Sequence, residues 1–168
     1  MATSLLVSPT ASANPSTPST SPSPGVSSPL ASATSNGESD DISSASAEII
    51  ELKQSKSSGF TTITVRITNT TDEDMHDHWF SNPTYIYREP VFSGVTLLDE
   101  NQNVRHNPVM DEQDYCSCSG YSPRSPYAPF VRPGESVDYW AMYYIPENTK
   151  SVDVKIPGFD PIEDVPVG

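Results

Sequence analysis

The segment Phe60-Thr-Thr-Ile-Thr-Val-Arg-Ile-Thr-Asn69 decides the fold of this chain. Its apolar side chains, Ile63, Val65 and Ile67, alternate with polar ones, as they do in a strand that buries one face and exposes the other. The following residues, Asn69-Thr-Thr-Asp72, are typical of turns and end the segment. The pattern therefore predicts a half-buried β-strand.

Short strands of the same kind are expected on both sides of this segment, at residues 49–52, 91–99, 104–106, 137–143 and 152–156. Turn-forming Pro, Gly and Asn residues separate them, and no window has a clear helical period of apolar residues. Many short strands without intervening helices favour an all-β sandwich. About 120 residues is enough for one hydrophobic core.

Residues 1–46 differ in composition from the rest of the chain. They are rich in Ser, Thr, Ala and Pro and contain no aromatic residue. Such a segment has too little apolar surface to offset the entropy of ordering it. We therefore expect a disordered stalk or linker at 1–46 and a folded domain at 47–168.

The charge of the chain limits its partners. Asp and Glu number 22 against 9 Lys and Arg, which gives a formal net charge of -13. This charge repels nucleic acid and anionic membrane surfaces. No apolar run approaches the ~20 residues that a spanning helix needs. The first residues show no basic region and no long apolar core, so a secretory leader is not visible in this sequence.

Six motifs follow one another along the folded part of the chain: Ile63–Asp72, Val95–Asp99, Asp114–Ser119, Arg132–Glu135, Val152–Phe159 and Val165–Val167. Their order is similar to that in the immunoglobulin-like domain of actinobacterial secreted or surface lipoproteins, which in some of them lies next to an OmpA-like domain. The resemblance covers residues 48–167.

This resemblance implies an immunoglobulin-like β-sandwich, secreted or displayed at the cell surface. It implies a non-catalytic interaction or adhesion module that meets a protein or cell-envelope partner, with no cofactor and no catalytic residue. No lipid-acceptor Cys stands before the stalk and no OmpA-like domain follows, so anchoring is not carried over. We expect a monomer.

The two cysteines, Cys116 and Cys118, form a Cys-Ser-Cys sequence. At this spacing on an extended strand, their Cα atoms are near the upper limit for a disulfide, so a bridge requires a tight bend. We expect a local disulfide, because the neighbouring acidic residues disfavour a reactive thiolate. The alternative is a redox or metal-binding pair.

A metal-binding or redox exported domain is thus the alternative function. His76 and His78, together with Cys116 and Cys118, are the types of ligand that Zn and Cu accept. The two pairs are 38 residues apart, counted from His78 to Cys116, and nothing in the sequence brings them together. The other interpretation of the His-Asp-His segment is an acidic surface loop.

The aromatic residues near the cysteines form the last candidate site. Tyr115, Tyr121, Tyr127 and Phe130 could present a ligand surface, or could cover the end of the sandwich. The chain contains none of the common nucleophile, zinc-protease or phosphate-binding motifs. We therefore expect no enzyme activity.

Overall fold

In the computed structural model of this protein, residues 28–37, 42, 44–81, 87–88, 92–120 and 128–168 are described. Residues 1–27 of the expected stalk, together with Tyr121 and Tyr127, lie outside this part of the chain. The strands are β1 (Ala31–Thr34), β2 (Ser46–Gln54), β3 (Phe60–Thr68), β4 (Met75–His76), β5 (Thr96–Asp99), β6 (Val104–His106), β7 (Phe130–Val131), β8 (Ser136–Tyr144), β9 (Ser151–Lys155) and β10 (Ile162–Pro166).

The predicted all-β fold is confirmed. The first sheet has the order β1-β2-β3-β8 and the second the order β10-β9-β5-β6, and all neighbouring strands are antiparallel. Apolar side chains from both sheets belong to one buried core. The architecture is therefore a β-sandwich, with a short ribbon of β4 and β7 beside it. Membership of the immunoglobulin-like family stays a prediction.

Strict alternation on β3 and β8 builds the inner face of the first sheet. Ile63, Val65 and Ile67 are fully buried, as the sequence predicts. Ala141 lies opposite Ile63, and Tyr139 lies opposite Val65. Since successive side chains of a strand point to opposite sides, the intervening residues must form the outer face of this sheet.

The Tyr143 side chain extends through the core from the first sheet towards the second. Its hydroxyl donates a hydrogen bond to the Val95 carbonyl, just before β5, at 2.8 Å. Burial raises the pKa of Tyr143 well above its ordinary value, and the nearby Tyr87 adds to this effect. The neutral phenol is therefore the form that the folded core requires.

The expected start of the domain at residue 47 is wrong. Strand β1 lies within the segment assigned to the stalk and pairs with the first half of β2 from Ala31 opposite Ile49 to Thr34 opposite Ser46. Ile42, in the same segment, is buried in the core. The composition of the segment concealed this strand, because a β-ladder is built from backbone hydrogen bonds that any non-Pro residue can make.

Other parts of the chain pair with β8 and with the second half of β2, so that only the short strand β1 remains as an edge of the first sheet. The second half of β2, which β1 does not reach, pairs with Gly168. The Gln54 N–H donates to the Gly168 carbonyl at 2.8 Å, and the Gly168 N–H donates to the Leu52 carbonyl at 2.9 Å. On the opposite side, residues 109–119 run along β8. An isolated bridge joins Cys118 to Ala141 there.

The remaining differences from the sequence prediction lie at short elements. The strand expected at 91–99 is confined to Thr96–Asp99 in the described residues. The ribbon of β4 and β7 was not expected, and a short 3₁₀ helix at Asp77–Phe80 follows β4. No helix in the described ranges is long and apolar enough to cross a membrane.

Candidate recognition surface

The outer face of the first sheet carries a row of large side chains. Trp140, Met142 and Tyr144 occupy alternate positions on β8, and Phe60 lies opposite Tyr144 on β3. Phe60 is 40% exposed and Tyr144 63% exposed, while Trp140 and Met142 are half-buried. We call these four residues the aromatic face. Large apolar side chains grouped on a surface often mark an interaction site.

A tight turn fixes the geometry of Phe60 and Tyr144. Gly59 precedes Phe60 with a φ of +70°, and a Cβ atom there would lie 3.0 Å from the Tyr144 ring. Glycine therefore allows both the turn and the close seating of the ring. The two rings meet edge to face, with centroids 5.9 Å apart and planes at 77°, an arrangement that aromatic pairs favour.

An open groove of about 510 Å³ borders the aromatic face. Phe60 and Met142 supply its apolar wall, and Ser55, Ser58 and Thr62 contribute hydroxyl groups. The volume is in the range of small-ligand sites. The groove can therefore offer apolar contact and hydrogen bonds to the same partner.

The charges beside the aromatic face are paired. Arg66 donates two hydrogen bonds to Asp138, at 2.7 and 2.8 Å, so that the two side chains form a bidentate pair. The hydrogen bond and the charge of Asp138 raise the pKa of Arg66. At the groove, Lys53 and Glu51 approach to 4.0 Å. Each of these two pairs combines opposite charges and so adds no net charge to this face of the sheet.

A second group of rings lies on the ribbon. His76 on β4 packs against Phe130 on β7 with ring centroids 5.3 Å apart, and His78 lies 5.6 Å from His76. Trp79 follows, 4.9 Å from His78. Phe130 is 39% exposed, and its role in a ligand surface stays a prediction. This location connects the predicted aromatic loop with the His-Asp-His segment, which the sequence alone did not do.

The other residues of the predicted aromatic surface do not share the exposure of Phe130 or lie outside the described residues. Tyr115 is half-buried, and the Arg88 guanidinium lies 5.5 Å from the centre of its ring. Tyr121 and Tyr127 are outside the described residues, so the predicted four-residue surface stays a prediction. The alternation that placed Tyr139, Ala141 and Tyr143 on one face could have revealed the opposite face of β8.

Cys116 and Cys118 lie at disulfide-bonding distance, with Cα atoms 5.3 Å apart, and both are buried. The tight bend that the sequence argument required is present, because the Cys118 N–H donates to the Cys116 carbonyl at 2.9 Å. A hydrogen bond between residues i and i+2 defines a γ-turn, with Ser117 at its centre.

The alternative metal site from His76, His78, Cys116 and Cys118 is not assembled in this structure. Within the described residues, no group of three or more His, Cys, Asp and Glu side chains could hold a metal ion. Both sulfur atoms are committed to each other. The two cysteines are bonded to each other and the two histidines lie side by side on the ribbon, so the described residues do not join the two pairs into one ligand set.

A further polar residue, Asn69, was not recognised as structural from the sequence. It is fully buried, and its amide nitrogen donates to the carbonyl groups of Glu73 and Val131, each at 2.7 Å. Its side-chain oxygen accepts from the N–H and the hydroxyl of Thr71 at 2.9 and 2.7 Å. These bonds tie the end of β3 to the ribbon and use the whole amide group.

Comparisons with family models, with curated proteins and with solved structures found no match to this chain.

Proposed function

We propose that this chain is a non-catalytic recognition module, exported to the cell surface or secreted, that binds a protein or cell-envelope partner through the aromatic face. The observation that carries this proposal is the exposure of Phe60 and Tyr144 on an outer sheet face with paired charges. Trp, Tyr and Met are enriched in binding surfaces because they offer large apolar area together with polar or polarizable groups.

Export is supported by the cysteine pair. Disulfides persist in oxidising compartments and are rare in the cytosol. The bond between Cys116 and Cys118 is therefore typical of a secreted or surface-displayed domain. The compartment and the monomeric state remain proposals.

The test compares binding of the labelled 168-residue chain to an actinobacterial cell-envelope preparation before and after replacement of Phe60 and Tyr144 by Ser. Removal of a central contact costs about 2 kcal/mol or more, which corresponds to about a 30-fold loss of affinity. We expect at least this loss in the double variant, with the domain still folded and its thermal midpoint lowered by only a few degrees, because loss of the ring pair costs about 1 kcal/mol.

Val104→Ser is the matched control. Val104 lies on β6 in the second sheet and, like Phe60, is 40% exposed. We expect this variant to bind as the original protein does. Equal binding by all three proteins, or no binding by the original protein, would refute the proposal.

A further inference from the structure

The γ-turn at Ser117 is attached to the strand that carries the aromatic face. The Val109 N–H donates to the Met142 carbonyl at 2.7 Å, and the Met142 N–H donates to the Ser117 carbonyl at 2.9 Å. The Ser117 N–H completes the ring by donating to the Val109 carbonyl at 2.7 Å. The three residues thus satisfy one another's backbone groups, and Met142 is both a member of this ring and a member of the aromatic face.

A second attachment holds Trp140 in the same way. The Ser119 N–H donates to the Trp140 carbonyl at 2.8 Å, and the Trp140 N–H donates to the Ser119 hydroxyl at 2.8 Å. The residues beside the disulfide therefore fix the backbone of β8 at both half-buried positions of the aromatic face. On its other side, β8 is held by β3.

The disulfide sets the length of this supporting segment. In an extended strand, residues i and i+2 are about 6.6–6.8 Å apart, whereas the Cα atoms of Cys116 and Cys118 are 5.3 Å apart. The contracted form places Ser117 between Val109 and Met142. Two free thiols would not enforce this contraction, and the segment could then extend and lose its register with β8.

We propose that the Cys116–Cys118 disulfide is a redox-sensitive support for the aromatic face, so that its reduction lowers partner binding. This inference rests on the proposed function. A dithiol reductant supplies two electrons and two protons: one of its thiolates attacks a cysteine sulfur, and the other cysteine leaves as a thiolate. The second thiol of the reductant then closes its own disulfide, which leaves two protein thiols.

Because the cysteine pair is buried, reduction of the disulfide is slow. Cys116 and Cys118 have almost no exposed surface, so the reductant reaches them only when the segment opens. The oxidised form is therefore stable in an oxidising compartment and responds to a strong dithiol.

The first experiment needs no partner. Amide hydrogen exchange is measured on the full chain in the oxidised form, in the form reduced by dithiothreitol, and in the Cys116→Ser, Cys118→Ser double variant. We expect the exchange rates of the Ser117 and Met142 amides to rise on the order of tenfold both in the reduced protein and in the double variant. The amides of Ile63 and Val65 at the centre of β3 should be unchanged, and reoxidation should restore the first pattern.

The second experiment measures binding of the same three proteins to the cell-envelope preparation. We expect the reduced protein and the double variant to bind at least threefold more weakly, while the reoxidised protein recovers. Unchanged exchange at Met142 would overturn the inference. Exchange that rises equally in β3 would also overturn it, because the disulfide would then stabilise the whole fold. A local rise in exchange without any loss of binding would refute the link to recognition.

These outcomes separate the two proposals. If the Phe60 and Tyr144 replacements do not affect binding, the proposed function fails, whatever the exchange shows. If those replacements abolish binding and reduction does not alter it, the recognition surface stands and the redox support is refuted.

Discussion

Replacement of Ile42 by Ala tests whether the folded domain includes part of the expected stalk. Ile42 is only 1% exposed. Its Cδ1 atom fills the space that a side chain on Gly158 would need. Gly158 also accepts a hydrogen bond from the Asn36 N–H at 3.0 Å. The side chain therefore packs where the segment after β1 meets the turn after β9.

The expected size of the effect follows from this burial. Removal of most of a buried Ile side chain costs about 2–5 kcal/mol, because apolar contact is lost and a cavity remains. For a domain of this size, each kcal/mol lowers the thermal midpoint by about 3–4 °C. We therefore expect Ile42→Ala to melt roughly 6–20 °C below the original protein.

Circular dichroism during heating of the full chain measures this change. Leu30→Ala is the matched control, because Leu30 lies in the same segment but is 46% exposed. Surface replacements usually change stability by less than about 0.5 kcal/mol, so its midpoint should fall by less than about 2 °C. Deletion of residues 1–46 should destabilise the domain more than deletion of residues 1–27. Equal midpoints for Ile42→Ala and Leu30→Ala would refute the packing of this segment.

Three further predictions test the core. Val65→Asp and Val154→Asp should each unfold the domain, since a buried unpaired carboxylate costs several kcal/mol out of a total of about 5–15; circular dichroism at 25 °C checks this, and Thr64→Asp on the outer face should remain folded unless the faces are reversed. Asn69→Ala should lower the free energy of unfolding by about 2–4 kcal/mol in urea titrations, because two carbonyls lose their buried donor; a change under about 0.5 kcal/mol would contradict this. Tyr143→Phe should cost about 1 kcal/mol at pH 8. Because the pKa of Tyr143 is higher in the folded than in the unfolded protein, its contribution to the free energy of unfolding is fully present below about pH 10 and is lost as the pH rises through the folded-state pKa. The urea midpoints of the variant and the original protein should therefore converge at pH 11. A difference that stays constant with pH would refute this.

The two longest strands that the sequence predicted in full, β3 and β8, have a strong alternation of burial. On β3, every second side chain from Ile63 to Ile67 is fully buried, and a shift of one residue would place all of them in solvent. Hydrophobic pattern therefore determines both the strand and its orientation. The central strand β8 follows the same rule, with Tyr139, Ala141 and Tyr143 inside.

Strand β1 could not be predicted in this way. Its residues Ala31–Thr34 are only partly buried or exposed, and no large side chain marks an inner face. Its pairing depends on the backbone of β2, which leaves no sequence pattern. Composition describes how much apolar surface a segment has on average, so the buried residues Ile42 and Ala45 were hidden within a polar stretch.

The candidate site was only partly predictable for a related reason. The tight bend at the cysteines followed from the reach of a disulfide, because their spacing is local. The proximity of Phe130 to His76 depends on the pairing of β4 with β7, more than 50 residues apart in the chain. Local patterns contain no information about such a pairing, and the same limitation applies to the groove between β2, β3 and β8.

The coverage of the sheet edges explains why recognition is assigned to a face. A peptide that adds to a sheet as an extra strand needs unpaired backbone groups along an edge. On β8, the backbone groups of Trp140 and Met142 are already bonded to the residues around the disulfide. On the opposite side, β1 reduces the edge to a four-residue strand, and Gly168 occupies the rest of β2. A partner of the proposed kind would therefore meet side chains of the first sheet more readily than its backbone, and Phe60 and Tyr144 are the exposed large apolar side chains that this sheet offers on β3 and β8.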